Sequence, residues 1–521
     1  MKRLADRFLA LATGPIQVRE LRATFRGWKF AVVFTGALVI ALFVLWSTSF
    51  AGMAEHASSA SVGQMTFVVL LTIQAALIGL LLPGFAGTSI VRERDQSTLE
   101  LLSTTTIRPW EIIWGQLMAS MGYVAVYLFA TLPLMAFPFW FGGLAGWEPV
   151  LAYVGLFLFA ALISMWAIYV SSTSTSLARA TIMSYIFVFS ISGPLIGAMV
   201  ELIDRASHGR GALSEIIESF SGNALSIALN GSYVFFAPFI FLFIAAVNRL
   251  KPFGSNRSTP MRIYAALVLP ASAALLLGNF RHYFFTTSTS DRLLFGYTWW
   301  IVTGVCAAAL AFHTLEGPVE GKRLFKHLDR LSGLKWPLRF FSPGGHRAFV
   351  FTLAMAVLTC GVGGALLLRH LVWEADEPFQ SWWLPLGTIL AQVVFGAGFG
   401  LYLGSLRLPL ALSRGLWVLG VVSIPVISVV WQFAAYDEFT EILHWNAPGY
   451  LCFPWVLFHS WYSTASPGAA VMPEVGGHTP AWVPFWIFHF GLGTVLAVAG
   501  WLGVARREQE NRATFTPGTA A

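Results

Sequence analysis

The chain has 521 residues, of which 56% are hydrophobic and 11% charged, with a formal net charge of +7. Soluble domains carry about 25% charged residues, so no globular core hides this much apolar surface, and a bilayer is the solvent the composition calls for. The basic excess is read as loops facing anionic lipid and not as a nucleic-acid footprint.

The three cysteines, Cys306, Cys360 and Cys452, are far apart and form no paired spacing. Neither a disulfide framework nor a zinc site is indicated. The predicted class is all-α: a polytopic membrane protein of about 12 transmembrane helices in two six-helix units.

In chain order, the basic N-terminus is not followed by a short apolar run and a small-residue cleavage site, so the first span is expected to direct insertion. Within the cytoplasmic segment 1–29, residues 15–26 place Val18, Leu21 and Phe25 on one helical face and Arg19, Arg22 and Arg26 on the other. That pattern predicts an amphipathic elbow helix in contact with lipid headgroups. Its alternative is a basic flank that only sets topology.

A crossing helix needs roughly 20 apolar residues. The first unit, 30–248, is read as spans at 30–46, 66–86, 117–140, 150–170, 180–200 and 227–247. A polar, Gly- and Pro-bearing linker occupies 249–262. The second unit, 263–505, is read as spans at 263–280, 297–312, 349–368, 384–403, 416–433 and 482–504, followed by a cytoplasmic tail at 506–521. With the N-terminus inside, all but five of the 32 Lys and Arg fall on the cytoplasmic side; the exceptions are Arg205, Arg210, Arg281, Arg292 and Arg369. Lys and Arg bias sets orientation, so both termini are expected in the cytoplasm of a multi-pass inner-membrane protein.

Segment 91–116 interrupts the apolar pattern with seven charges: Arg92, Glu93, Arg94, Asp95, Glu100, Arg108 and Glu111. It reads as a cytoplasmic docking surface. No Gly-x-x-x-x-Gly-Lys-Ser/Thr loop is present; the look-alike at 316–323 lacks the first glycine and ends in Arg323, where magnesium would need a hydroxyl. Acids and bases are nearly absent from the spans, with His489 the main exception, and few polar residues line them. Carriers coupled to protons or sodium usually bind the ion at an ionisable midplane group. The pattern therefore points to energy delivered by a docked partner.

Segment 91–116 resembles the stretch between the second and third spans of ABC transporter permeases of the type-2, exporter-like superfamily. Arg92, Glu93, Arg94, Thr98, Leu99, Glu100, Leu101, Leu102, Pro109, Glu111 and Gly115 fit its pattern. Ser97 stands where that family usually has Gly, Thr105 where it has Pro, and Gln116 where Lys is common. Residues 14–22 similarly resemble the family's elbow helix.

The resemblance implies a passive permease worked by a separate ATP-binding cassette ATPase, which holds the ATP and magnesium; this chain would carry no cofactor and no catalytic residue. It implies docking at Arg92, Glu93, Arg94, Asp95, Thr98, Leu99, Glu100 and Leu102. The charges would form rim ion pairs that fix register, and the leucines would anchor the helix to the spans. A second permease or a second copy of the chain is an additional implied partner, alongside membrane lipid and no nucleic acid.

Three further segments stand out. Residues 316–347 are basic with interleaved apolar positions and read as a second docking helix or a surface linker. Residues 449–461 read as a re-entrant or interfacial helix. The outer cluster Asp437, Glu438, Glu441, His444 and His459 is the only candidate for a membrane enzyme's site. An ion-coupled secondary carrier and an integral membrane lipid-modifying enzyme are the rival classes.

Overall fold

The computed structural model describes residues 15–26, 28–54, 58–98, 107–142, 144–186, 188–189, 224–252, 255–279, 316–319, 322–330, 339–371, 380–406, 408–409, 412–417, 419–421, 474–475, 479–480 and 482–515. In hydrocarbon every backbone N–H must be paired within its own segment, which favours helix. Among the described residues five helical stretches are long and apolar enough to cross a membrane: Ala31–Phe50, Ser59–Asp95, Pro109–Phe141, Trp147–Thr173 and Trp486–Thr514. Their outward faces are apolar. On the first of them Val32, Val39, Phe43, Trp46 and Phe50 are 58–66% exposed, while only the stripe Ala37, Ala41 and Leu45 is buried. In water that arrangement would be inverted; lipid is the solvent it fits. The predicted spans 297–312 and most of 416–433 lie outside the described residues, as do 434–473.

The chain divides into two units, Met1–Lys251 and Pro252–Ala521. The first contains α1 (Pro15–Phe25), α2 (Trp28–Ala54), α3 (Ser59–Ala86), α4 (Ser89–Asp95), α5 (Pro109–Thr131), α6 (Ala136–Phe141), α7 (Trp147–Thr173), α8 (177–186) and α9 (Ala224–Leu250). Local chemistry explains the boundaries. The Ser58 hydroxyl accepts from the Ser61 N–H at 3.3 Å to start α3. Pro109 opens α5, and the Glu111 carboxylate accepts the Arg108 N–H at 3.0 Å; Pro fits the first turn because its missing N–H would have no partner there. α5 gives way to a 3-10 turn, Leu132–Met135, at Pro133, and α6 stops at Gly142 with φ +85°. The Glu148 carboxylate caps α7 by accepting the Ala145 N–H at 3.0 Å.

α3 and α7 run parallel. Gln74 meets Tyr153 at one level, and the start of α4 meets Ser171 at the other. Trp114 near the start of α5 packs edge-on against Phe243 near the end of α9, with centroids 6.3 Å apart. Ile78, Leu82, Ile113, Leu117, Ile163 and Ile168 centre the core between these helices. One end of the unit therefore gathers α4, the start of α5 and the ends of α3, α7 and α9, together with nearly all of its described charges.

The second unit contains α10 (Ser258–Asn279), α11 (Lys322–Arg330), α12 (Gly345–Leu371), α13 (Gln380–Ser405), α14 (Leu412–Val421), the two-residue strands β1 (Glu474–Val475) and β2 (Thr479–Pro480), and α15 (Trp482–Phe515). The strands pair antiparallel, Glu474 opposite Pro480. α10 and α12 run parallel, Ala265 packing with Phe351 and Met355. α13 and α15 are also parallel and touch through backbone. A Cβ added at Gly398 would stand 2.2 Å from the Gly493 carbonyl oxygen, and one at Gly500 would stand 2.6 Å from the Tyr402 nitrogen. Glycine at such a seam lets helices approach where any side chain would hold them apart.

Two boundaries differ from the sequence expectation. Residues 258–262 are not linker: they are the first turn of α10, and Arg262 is 1% exposed. The polar, Pro-bearing stretch before Arg262 masked its role. Residues 506–515 are not a free tail, because α15 continues to Phe515 and carries polar contacts along that extension.

Candidate functional site

The charged segment after α3 forms the seven-residue helix α4, and its sequence explains which way it turns. Ile90 and Val91 are fully buried. The first N–H groups of a helix have no partner within it; here the Ile90 and Val91 N–H groups both donate to the Ser171 hydroxyl of α7, at 3.1 Å each. Arg94 closes the other side. Its guanidinium donates to the carbonyls of Ser174, at 2.5 Å, and Ser172, at 3.1 Å, which are end-of-helix acceptors on α7 that favour a cation.

Glu93 is 5% exposed. Its Oε1 accepts from the Arg19 guanidinium of α1 and from the Gln116 amide of α5 at 3.5 Å. Thr98 donates its hydroxyl to the Glu93 carbonyl at 2.9 Å, folding the chain back after the helix. Ser97 sits at φ +56°, in the left-handed region that costs an L residue with a Cβ.

The expectation that these charges would together form an outward rim is corrected. Arg92 and Asp95 face outward, whereas Glu93 and Arg94 are turned into the unit and tie α4 to α1, α5 and α7. Leu99, Glu100 and Leu102 lie outside the described residues. Sequence periodicity cannot reveal this split: α4 is too short to show a face, and its partners lie far away in the chain.

The helix predicted at 15–26 is present as α1, and it packs on the rest of the unit. Leu21 packs on α5 at Gly122, where an added Cβ would come within 2.8 Å of the leucine. Phe25 meets Tyr123 edge-on at 5.6 Å, and the Tyr123 hydroxyl donates to the Glu20 carbonyl at 3.2 Å. Arg22 and Arg26 are exposed. Arg19 leaves that basic face to reach Glu93.

The interior of the first unit is more polar than expected. Gln74 is fully buried; its amide donates to the Tyr153 hydroxyl at 3.3 Å, which in turn donates to the Thr131 hydroxyl at 3.3 Å. This neutral chain joins α3, α7 and α5. It was missed because single Gln, Tyr and Thr residues do not lower the mean hydropathy of a span.

The corresponding end of the second unit is a closed network. The buried Arg262 guanidinium pairs with Glu316 at 2.5 Å and donates to the carbonyls of Ser342, Phe340 and Gly344, the last two at 3.4 and 3.3 Å. Arg507 donates to the Ser405 carbonyl at 2.9 Å. His489, 2% exposed, forms a triangle of rings with Phe395 and Phe488, its centroid 5.2 Å from each and theirs 6.0 Å apart. Among the described residues no group of three or more His, Cys, Asp or Glu side chains is placed to hold a metal. No protein-family model, curated protein or solved structure matches this chain.

Proposed function

We propose that this chain is the membrane-spanning permease subunit of an ATP-binding cassette transporter, with twelve spans, cytoplasmic termini and an export lean, worked by a separate ATPase that docks at α4. In this reading Arg92 and Asp95 meet the ATPase, and Leu99, Glu100 and Leu102 continue the docking surface. Glu93, Arg94 and the Ser171 hydroxyl receive the push.

The observation that carries the reading is the tethering of α4. A docking element that transmits force must be held by the helices it moves, and seven residues hold to three other helices through charge-assisted and paired hydrogen bonds. Charge-assisted bonds are roughly twice as strong as neutral ones. Outward Arg92 and Asp95 supply opposite charges that fix partner register.

The ion-coupled carrier gains nothing from the buried Gln74–Tyr153–Thr131 chain, because these groups are neutral and hold no coupling proton near pH 7. Its remaining candidate, His489, is buried edge-on against two phenylalanine rings.

The test is co-purification with the ATPase encoded by the adjacent reading frame, comparing wild type with Arg92→Glu combined with Asp95→Arg. Both residues are exposed, so the membrane fold survives the swap. The expected result is loss of the complex with unchanged thermal unfolding. Undiminished co-purification rejects α4 as the docking site, and uphill flux in liposomes driven by an ion gradient alone rejects the class.

A further inference from the structure

We infer that α11, Lys322–Arg330, is a docking surface for anionic lipid headgroups, held at the membrane surface by the extension of α15. The inference stands apart from ATPase coupling and uses no part of α4.

The helix has two opposed faces. Leu324, Phe325 and Leu328 turn toward the protein, with Leu328 6% exposed. Arg323, Lys326 and Arg330 are exposed on the opposite side, spaced three and four residues apart. Residues at that spacing align on one helical face. The single acid on the helix, Asp329, is paired with Arg512 of α15, and the same guanidinium lies 5.8 Å from the centre of the Phe325 ring. The outward face is therefore a stripe of three cations with its neighbouring carboxylate neutralised.

The position of α11 is fixed from both sides. Ahead of it, the Val319 N–H donates to Glu508 at 3.1 Å, and its carbonyl accepts from Asn511 at 3.1 Å. Behind it, Arg339 donates to the Leu328 carbonyl at 3.1 Å. These contacts set its height above the bilayer. Val495, Val498 and Leu502 are 55–65% exposed on α15, and Arg506, one turn later, is 84% exposed. The hydrocarbon edge thus falls between Leu502 and Arg506.

Arg512 is six residues further along a helix that rises 1.5 Å per residue, or about 9 Å. The headgroup layer extends roughly 5–8 Å beyond the hydrocarbon, and the Debye length is about 8 Å at physiological salt. α11 therefore stands at the headgroup surface: too far out to bury its apolar face in lipid, which it buries on protein instead, and near enough for its cations to feel anionic phosphate. A cation there gains roughly fivefold in local preference for an anionic surface, so three give about a hundredfold.

The experiment is deuterium exchange of amides 322–330 in the full chain, held in nanodiscs of phosphatidylcholine alone or with phosphatidylglycerol at about one lipid in three, a strongly anionic surface. The expected result is exchange about tenfold slower in the anionic discs, and loss of that difference in 1 M salt. Arg323→Gln combined with Lys326→Gln and Arg330→Gln should abolish the difference while exchange at 499–508 stays unchanged, which separates lost binding from lost fold. Equal exchange of the wild type in the two discs overturns the inference. So does slowing that arises in neutral discs only on adding the soluble ATPase, since that result assigns the face to a protein.

Discussion

The Arg19–Glu93 pair makes a quantitative test of how α1 and α4 are joined. Glu93 has 7% side-chain exposure and Arg19 has 50%, so the pair lies between two regimes. Exposed pairs contribute about 0.2–1 kcal/mol, while breaking a fully buried pair costs about 3–5 kcal/mol. Half-exposure of the arginine screens the upper figure, which leaves about 1.5–2 kcal/mol for the coupling. Opening of α1 should accordingly become some 10- to 30-fold easier when either partner is removed, taking 1.4 kcal/mol as tenfold.

The assay is deuterium exchange over residues 15–25 in wild type, Arg19→Ala, Glu93→Ala and the double variant. Each single variant is expected to speed exchange by about that factor. The double variant should add little beyond either one, because the second substitution removes a partner already lost. Independent, additive effects, the behaviour of sites that share no interaction, would refute the claim that this pair fastens α1 to α4.

Two further outcomes follow from the backbone and the buried charge. Ser97 at φ +56° carries a left-handed cost of about 1–2 kcal/mol, so Ser97→Gly should stabilise the first unit by about 0.5–1 kcal/mol after its entropic penalty, measured by denaturant unfolding in detergent; a loss of stability would show that the serine side chain is needed there. Arg262→Met should destabilise the second unit by about 3 kcal/mol by removing the buried cation that pairs with Glu316 and donates to the carbonyls of Phe340, Ser342 and Gly344. Arg262→Lys should rescue little, since one ammonium cannot reproduce the planar fork, and full rescue by lysine would mean charge alone suffices.

The apolar helices were legible because the bilayer imposes a length and a composition that local sequence must satisfy. The charged run of α4 and the polar stretch near residue 251 are visible for the same reason: charge and Pro/Gly punctuation stand out against an apolar background. The direction of individual side chains was not. Glu93 turns inward because Arg19 lies 74 residues earlier, and α4 is capped by a serine 80 residues later. Arg262 resembled a topology-setting linker cation until its carbonyl acceptors, about 80 residues downstream, were brought to it. Ser97 is the intermediate case. The sequence marked it as a place where glycine was expected, and its φ of +56° is one that glycine adopts without steric cost.

The glycine seam between α13 and α15 has a mechanical consequence. At Gly398, Gly493 and Gly500 the contact is main chain against main chain, with no side chain at those levels to change rotamer and take up a displacement. Sliding one rod along the other would collide main-chain atoms within a fraction of a turn, so the two behave as a single stiff beam. Any rocking inside the second unit must then be absorbed at the edges of that beam, where α12 meets it through the ring of His346, whose Nε2 lies 2.9 Å from the Trp501 carbonyl.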